Sequence, residues 1–345
     1  MRLFRIIGLL LFIAFPAHAT DLTDIRPHAP SGNPWSEQWF FYINDPSVGY
    51  FKVSVQTYLT ADAGTQKEKA YLHFAYAPVG GTKKIFDYFY DHVNLQGDGT
   101  NGHFLLEVPG VIRVDQESVR LSTKDFSFDM KFTGQHRHYW NGSNPGRNPF
   151  GLVGELPGLK TEYFVYTMGT ETRYHFAMND IEHEGTAVTY LDKGWYENYK
   201  SQGFVFVGAF LPETQLMMTG GYPSTFPLEM WVGRFLSEQQ DMLIRPSVVG
   251  LSARKVSDAC RGYFSIEIKK PGRKIEVEAE SDPASFYRST MPSMDILGAP
   301  KPVMKSMNAR ITVKIFKWGR LVEETLFPQG LLEFSGDEIC EESTI

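Results

Sequence analysis

Two carboxylates stand in aromatic company. Glu162 is followed by Tyr163, Phe164 and Tyr166, and Asp192 is flanked by Tyr190, Trp195 and Tyr196. A carboxylic acid surrounded by apolar side chains keeps its proton toward neutral pH, and aromatic faces stabilise a nearby cation. Together these groups could protonate an isolated alkene and shelter the cation until water or an internal hydroxyl adds. In that chemistry Asp192 or Glu162 is the acid. Trp39, Trp195 and Tyr199 are candidate walls, and Tyr163 and Tyr190 candidate ligand contacts. The plainer alternative is that both acids are structural, because a buried carboxylate must be paired.

Other motifs carry less. Gly97-Asp-Gly-Thr-Asn-Gly102 matches G-x-G-x-x-G, but a dinucleotide site needs a helix after it, and His103-Phe-Leu-Leu-Glu-Val108 alternates like a strand. A hairpin turn is expected there. His183-Glu184 lacks the second histidine of H-E-x-x-H, and neither a G-x-S-x-G elbow nor a Walker A loop occurs. His136 and His138 would share a strand face, yet no carboxylate at chelating spacing completes a metal set. No metal and no cofactor are expected. Cys260 and Cys340 have neither a CxxC partner nor a neighbouring histidine. They are expected to form a disulfide rather than remain two buried thiols, and the loop so closed is worth about 4–5 kcal/mol in the chain-entropy model.

That expectation rests on export. Arg2 and Arg5 make a basic start, Ile6 to Phe15 an apolar run, and Ala17-His18-Ala19 a small-x-small end. Residues 1–19 read as a signal peptide cleaved before Thr20, with an apolar run too short to cross a bilayer comfortably. A periplasmic or secreted location follows. No later segment is long enough to be an integral membrane span, which leaves peripheral membrane contact open. Asn141-Gly-Ser143 is a formal glycosylation acceptor, relevant only in a host with that machinery.

The elements that must position these residues are strands. Phe51, Val53, Val55, Thr57 and Leu59 alternate with period two, as do Phe126, Phe128, Met130 and Phe132, Ile275, Val277 and Ala279, and Ile311, Val313 and Ile315. Phe126 to Phe132 are expected to be packed core rather than a cavity lining. Short turns such as Asp45-Pro46, Gly80-Gly81 and Pro271-Gly272 separate such runs, and only 236–244 and 294–307 read as short helices. The pattern is all-β, with antiparallel barrels or sandwiches. The polar run Asn141 to Pro149 marks the expected joint, dividing the chain into halves at 20–149 and 150–345, with a Pro-rich insertion near 282–302. Each half then holds roughly eight strands, enough to close a small barrel around one ligand.

Composition sets the outer bounds. The 345 residues are 42% hydrophobic, 14% aromatic and 21% charged, with 34 basic and 40 acidic side chains and a pI near 5.9. That is ordinary globular usage, and it argues against a nucleic-acid partner, whose phosphates demand a concentrated basic surface.

Three segments combine into a resemblance. Glu37-Gln-Trp-Phe-Phe-Tyr-Ile43 opens the first half and Phe150-Gly-Leu-Val-Gly-Glu-Leu-Pro-Gly-Leu-Lys-Thr-Glu-Tyr-Phe-Val-Tyr166 the second. Gly185-Thr-Ala-Val-Thr-Tyr-Leu-Asp-Lys-Gly-Trp-Tyr-Glu-Asn-Tyr199 follows, and Gly330-Leu-Leu-Glu-Phe-Ser-Gly336 lies near the end. Their order and spacing resemble the double-lipocalin family of tocopherol cyclases, bacterial carotenoid 1,2-hydratases and AttH-like proteins. Glu162 and Tyr163 match its E-x-Y positions, and Tyr190 and Trp195 match the Tyr and Trp of the third segment. Asp192 replaces the usual Glu there, and Tyr196 stands where the family has Gly. The resemblance implies two lipocalin-like antiparallel barrels in tandem and little helix.

Two functions from different classes are compatible with this pattern. One is an exported protein that binds a lipid, isoprenoid or other hydrophobic small molecule. The other is a hydratase or cyclase acting on an isoprenoid-type alkene through Asp192 or Glu162. A carbohydrate-active β-sandwich using the two acids as a pair is a third.

Overall fold

The computed structural model describes residues 25–60, 68–97, 103–140, 148–155, 162–197, 201–223, 228–289 and 303–340. The signal-peptide segment, Tyr199, most of the polar run at 141–149 and most of the 282–302 insertion therefore lie outside the described residues.

The regular structure of the described chain is almost entirely strand. The first half contributes β1 (Trp35–Asp45), β2 (Gly49–Leu59), β3 (Lys69–Pro78), β4 (Lys84–Tyr90), β5 (Asn94–Gly97), β6 (Phe104–Val108), β7 (Ile112–Asp115), β8 (Ser118–Ser122) and β9 (Ser127–Phe132). β10 (Tyr163–Met178) and β11 (Ile181–Tyr196) follow, then β12 (Ser201–Phe210), β13 (Gln215–Pro223), β14 (Met230–Leu236) and β15 (Asp241–Val248). The remainder are β16 (Ala253–Asp258), β17 (Tyr263–Lys270), β18 (Arg273–Glu280), β19 (Tyr287–Ser289), β20 (Val303–Ser306), β21 (Arg310–Lys317), β22 (Arg320–Phe327) and β23 (Leu331–Gly336).

Strands β1 to β11 form one antiparallel sheet in the order β4-β3-β2-β1-β11-β10-β9-β8-β7-β6-β5. It curls around an aromatic interior in which Phe74 stacks on Phe126 at 4.0 Å and Phe51 meets Tyr76, Phe128, Tyr174 and Phe176. Phe126, Phe128, Met130 and Phe132 are packed core, as the alternation predicts. The second half is a seven-stranded sheet, β15-β14-β13-β12-β23-β20-β19, facing a five-stranded one, β16-β17-β18-β21-β22. Its interior is largely aliphatic, with Val205, Val207, Ile266, Ile268, Val277, Ile311 and Val313 buried together.

Two expectations are corrected. β10 and β11 hydrogen-bond to β9 and β1 and so complete the first sheet, which runs past the anticipated joint at 149–150 to Tyr196. A polar Pro/Gly run marks a loop, but it carries no information about which sheet the next strand joins. The anticipated helix at 236–244 is instead the turn of the β14–β15 hairpin. Ser237 accepts N–H bonds from Gln239 and Gln240 on its hydroxyl, and Met242 and Ile244 then alternate inward with period two. The G-x-G-x-x-G segment begins at the end of β5, which pairs with β6 as a hairpin. No helix of the described residues is long and apolar enough to cross a membrane.

Close approach of a neighbouring strand requires glycine at position 49. Gly49, which opens β2, has φ +130°, and a Cβ there would lie 2.1 Å from the Ala77 carbonyl oxygen. Cys260 and Cys340 form the anticipated disulfide, tying the turn after β16 to the segment after β23. Cys260→Ser/Cys340→Ser should lower unfolding free energy by about 2–5 kcal/mol. The shift should appear in the urea midpoint with little change in slope, and the wild type in reductant should reproduce it. An unchanged midpoint would contradict this assignment.

Candidate functional site

β6 to β9 alternate buried with exposed residues, as strands with one wet face must. β1, β2 and β3 do not: nearly every residue is buried, because the second half covers the face that would otherwise meet water. Polar side chains on that covered face form the candidate site.

Strand register lines these groups up. Asp87, His73, Ser54, Phe40 and Asp192 are successive cross-strand partners on β4, β3, β2, β1 and β11. A neighbouring row runs Ala75, Lys52, Tyr42, Tyr190. From the second half, β23 brings Glu333 and Ser335, β20 brings Lys305, and β19 brings Tyr287.

Asp192 is 4% exposed. Its Oδ2 accepts hydrogen bonds from Tyr163 at 2.7 Å and Tyr190 at 2.8 Å, and the two hydroxyls are 3.0 Å apart. Its Oδ1 is buried with no hydrogen-bond partner among the described residues. Burial pushes the acid up and the two hydroxyls pull it partly back, leaving it at about 7. Apolar rings pack beside it: Tyr190 stacks on Phe210 at 4.7 Å, and Tyr42 on Phe206 at 5.8 Å.

Glu333 anchors the other side of the layer. Its Oε1 accepts from Tyr42 at 2.5 Å and lies 3.4 Å from the Lys52 amine, while Oε2 lies 3.2 Å from Lys305. Burial alone would raise this acid, but Lys305 and Lys52 overcome it and hold it at about 2. Burial pushes Lys52 well below the ordinary lysine value against the pull of Glu333, and Lys305 adds repulsion. The Lys52 amine lies over the Phe40 and Tyr42 rings at 5.4 and 4.8 Å. At the far end, His73 Nδ1 is 2.8 Å from Asp87 and Nε2 is 3.2 Å from the Tyr287 hydroxyl. Burial lowers His73 to about 4, so the ring is neutral. A neutral ring bonded to a carboxylate through Nδ1–H accepts from Tyr287 on Nε2. Ser54 Oγ, Gln56 Oε1 and Ser335 Oγ are also buried here without a partner among the described residues.

The predicted site residues divide between two faces. Asp192, Tyr163 and Tyr190 come together. Trp39 and Trp195 do not join them, because they alternate onto the inner face of the first sheet and belong to its core. There they flank a second buried polar group, in which Lys193 lies 2.6 Å from Glu37, both side chains being fully buried. His28 Nδ1 is 2.6 Å from Glu37, and its ring stacks on Trp195 at 4.2 Å. Glu162 stands half-buried just before β10 and accepts the Trp195 N–H on its main-chain carbonyl at 3.1 Å. His136 and His138 take separate partners, His136 beside Glu117 at 3.7 Å and His138 on the Tyr166 carbonyl at 3.1 Å. Lys52, His73, Tyr287, Lys305 and Glu333 were not anticipated.

No family model matches the chain, and no curated protein sequence does. Solved structures do. CghA matches with a TM-score of 0.59 at 12% identity, over 92% of this chain and 95% of that one. Kievitone hydratase from Nectria haematococca gives 0.55 at 12%, over 94% of each chain. A Nitrosomonas europaea protein described as an AttH gives 0.53 at 11%, over 94% of this chain and 99% of that one. The likeness extends over both halves, and the chain therefore has the AttH-like double-lipocalin fold.

Proposed function

We propose that the layer between the two halves binds a hydrophobic, unsaturated small molecule and that Asp192 is the acid that activates it. The observation that carries this reading is the Asp192 carboxyl itself, with one oxygen held by two tyrosines and the other buried without a partner among the described residues. An acid titrating near 7 is matched to proton donation at neutral pH. In the step, the Oδ1 proton passes to an alkene carbon and the π electrons form the new C–H bond. The cation left on the adjacent carbon faces the Tyr42, Tyr190 and Phe206 rings. Water or a substrate hydroxyl then forms the C–O bond, and the proton it releases returns to the Asp192 carboxylate. Tyr163 and Tyr190 stabilise that carboxylate while it waits. The hydratase among the structural neighbours carries out a reaction of this type by name, which supports the reading.

A carrier role without chemistry is the second reading, favoured by the apolar rings on this face and by the export that the first nineteen residues imply. Because the interiors of both halves are packed, a carried ligand would sit in the same layer. Incubation with isoprenoid alkenes in D2O separates the two. The enzyme reading expects one solvent deuterium on carbon per product molecule, whereas the carrier reading expects retention of unlabelled ligand in native mass spectra. Absence of both bound ligand and product across such a panel would refute the assignment of this layer.

A further inference from the structure

The largest exposed apolar side chains of the second half gather at one end of its five-stranded sheet. Trp318, in the β21–β22 turn, is 86% exposed, and Leu251, in the β15–β16 turn, is 83% exposed. The β17–β18 turn lies between them. Arg273 pairs with Lys317, the Trp318 N–H donates to the Gly272 carbonyl at 2.9 Å, and the Lys269 N–H donates to the Ser252 carbonyl at 2.8 Å. Four strand spacings separate the outer edges of this platform, about 19 Å.

The same turns concentrate positive charge on an acidic chain. Lys269, Lys270, Arg273, Lys274, Lys314, Lys317 and Arg320 stand here against Glu267, Glu276, Glu323 and Glu324. Glu267 and Glu276 engage Lys269 and Lys274, Glu324 lies 3.4 Å from Lys314, and Glu323 accepts from the Ser237 hydroxyl. Arg273, Lys317 and Arg320 have no ion-pair partner among the described residues. Lys270 donates to the Leu243 carbonyl at 2.9 Å, and its amine feels the charge of Arg245.

The backbone adds an independent argument. Trp318 has φ +50° and Gly319 φ +78° in a two-residue hairpin turn. Such a turn favours Asn-Gly, and a bulky side chain at positive φ is an outlier. Local conformation thus disfavours tryptophan where the structure displays one to solvent, the kind of outlier from which a role can be inferred.

The geometry points to this end of the sheet as a docking surface for an anionic phospholipid bilayer. Tryptophan settles at the headgroup level of a membrane interface, and a short collar of Lys and Arg meets the lipid phosphates. Trp318 and Leu251 enter the interface, while Arg273, Lys317 and Arg320 bear on the phosphates around them. A nucleic acid would find only a small cationic area on a chain whose formal charge is −6.

Sedimentation with vesicles tests this. The protein should partition onto vesicles of phosphatidylcholine with about one-third phosphatidylglycerol and not onto pure phosphatidylcholine. Binding should weaken as salt rises, and inorganic phosphate at constant ionic strength should not compete. Each surface cation contributes about fivefold to partitioning, so Arg273→Gln/Arg320→Gln should lower it about 25-fold. Trp318→Asn gives the turn its preferred residue, so it should keep or raise the Tm while binding drops and the blue shift of tryptophan emission on vesicles disappears. Equal partitioning onto both vesicle types, no partitioning onto either, or variants that bind as the wild type does would overturn the proposal.

Discussion

Asp192→Asn should lower turnover of an alkene substrate by about 10²- to 10⁴-fold and make the folded protein more stable above pH 7. The first effect follows from removing the only proton that Oδ1 can donate. For the wild type, the rate should fall about tenfold per pH unit above about 7, as Asp192 loses that proton. The second effect has the sign of a raised acid. The folded carboxyl holds its proton up to about 7 and the unfolded one only to 3.8, so its stabilising contribution is full below pH 4 and lost as pH rises to 7. Integrated over that window the loss is about 4 kcal/mol. It will not show in the wild-type curve alone. His73, lowered from 6.5 to about 4, gains stability over much of the same range, and Glu68, raised to about 7, loses it. Both drop out of the difference between variant and wild type, which should therefore grow from pH 4 to pH 7 and then level off. Urea midpoints across that range provide the check, and a flat difference would mean that Asp192 is ionised in the folded protein.

The sequence made half of this site legible. Asp192, Tyr163 and Tyr190 stood out because an acid among tyrosines is unusual, and all three share one face. Trp39 and Trp195 stood out for the same reason but point the other way, since neighbours in a strand alternate faces and proximity in sequence says nothing of side. The larger omission was β2. The run Phe51, Val53, Val55 marks the inward face, and period two leaves Tyr50, Lys52, Ser54 and Gln56 on the opposite one. They are buried because β12, β20 and β23 pack over this face, Phe210 bonding Tyr50, and Glu333 and Lys305 meeting Lys52. No local signal distinguishes a polar face that meets water from one covered by a distant sheet. Glu333 lay within the Gly330–Gly336 segment, but its partners Lys52 and Lys305 come from strands far away in sequence. The all-β class and the disulfide were legible because period-two alternation and a single cysteine pair are properties of the chain itself.

Glu333→Gln is the substitution with the largest expected cost to stability, about 3–5 kcal/mol. Glu333 lies between two lysines whose side chains are 1% and 3% exposed, and the Tyr42 hydroxyl completes its set. The amide preserves the shape and the bond from Tyr42, but it leaves two amines facing each other with no countercharge. The pH dependence identifies the cause. A carboxyl lowered from 4.5 to about 2 contributes its stability above pH 4.5 and loses it as pH falls toward 2. The gap between wild type and variant should thus be full at pH 6 and shrink by about 3 kcal/mol on acidification. A purely steric fault would leave the gap constant. Replacing the whole group with Lys52→Met, Lys305→Met and Glu333→Leu should recover much of the loss, because a buried ion triad is no more stabilising than well-packed apolar side chains of similar volume. If the single variant unfolds within about 1 kcal/mol of the wild type at pH 6, the lysines are not held by Glu333. The charge balance around Asp192, to which Glu333 and Lys52 contribute with opposite sign, would then have to come from other groups.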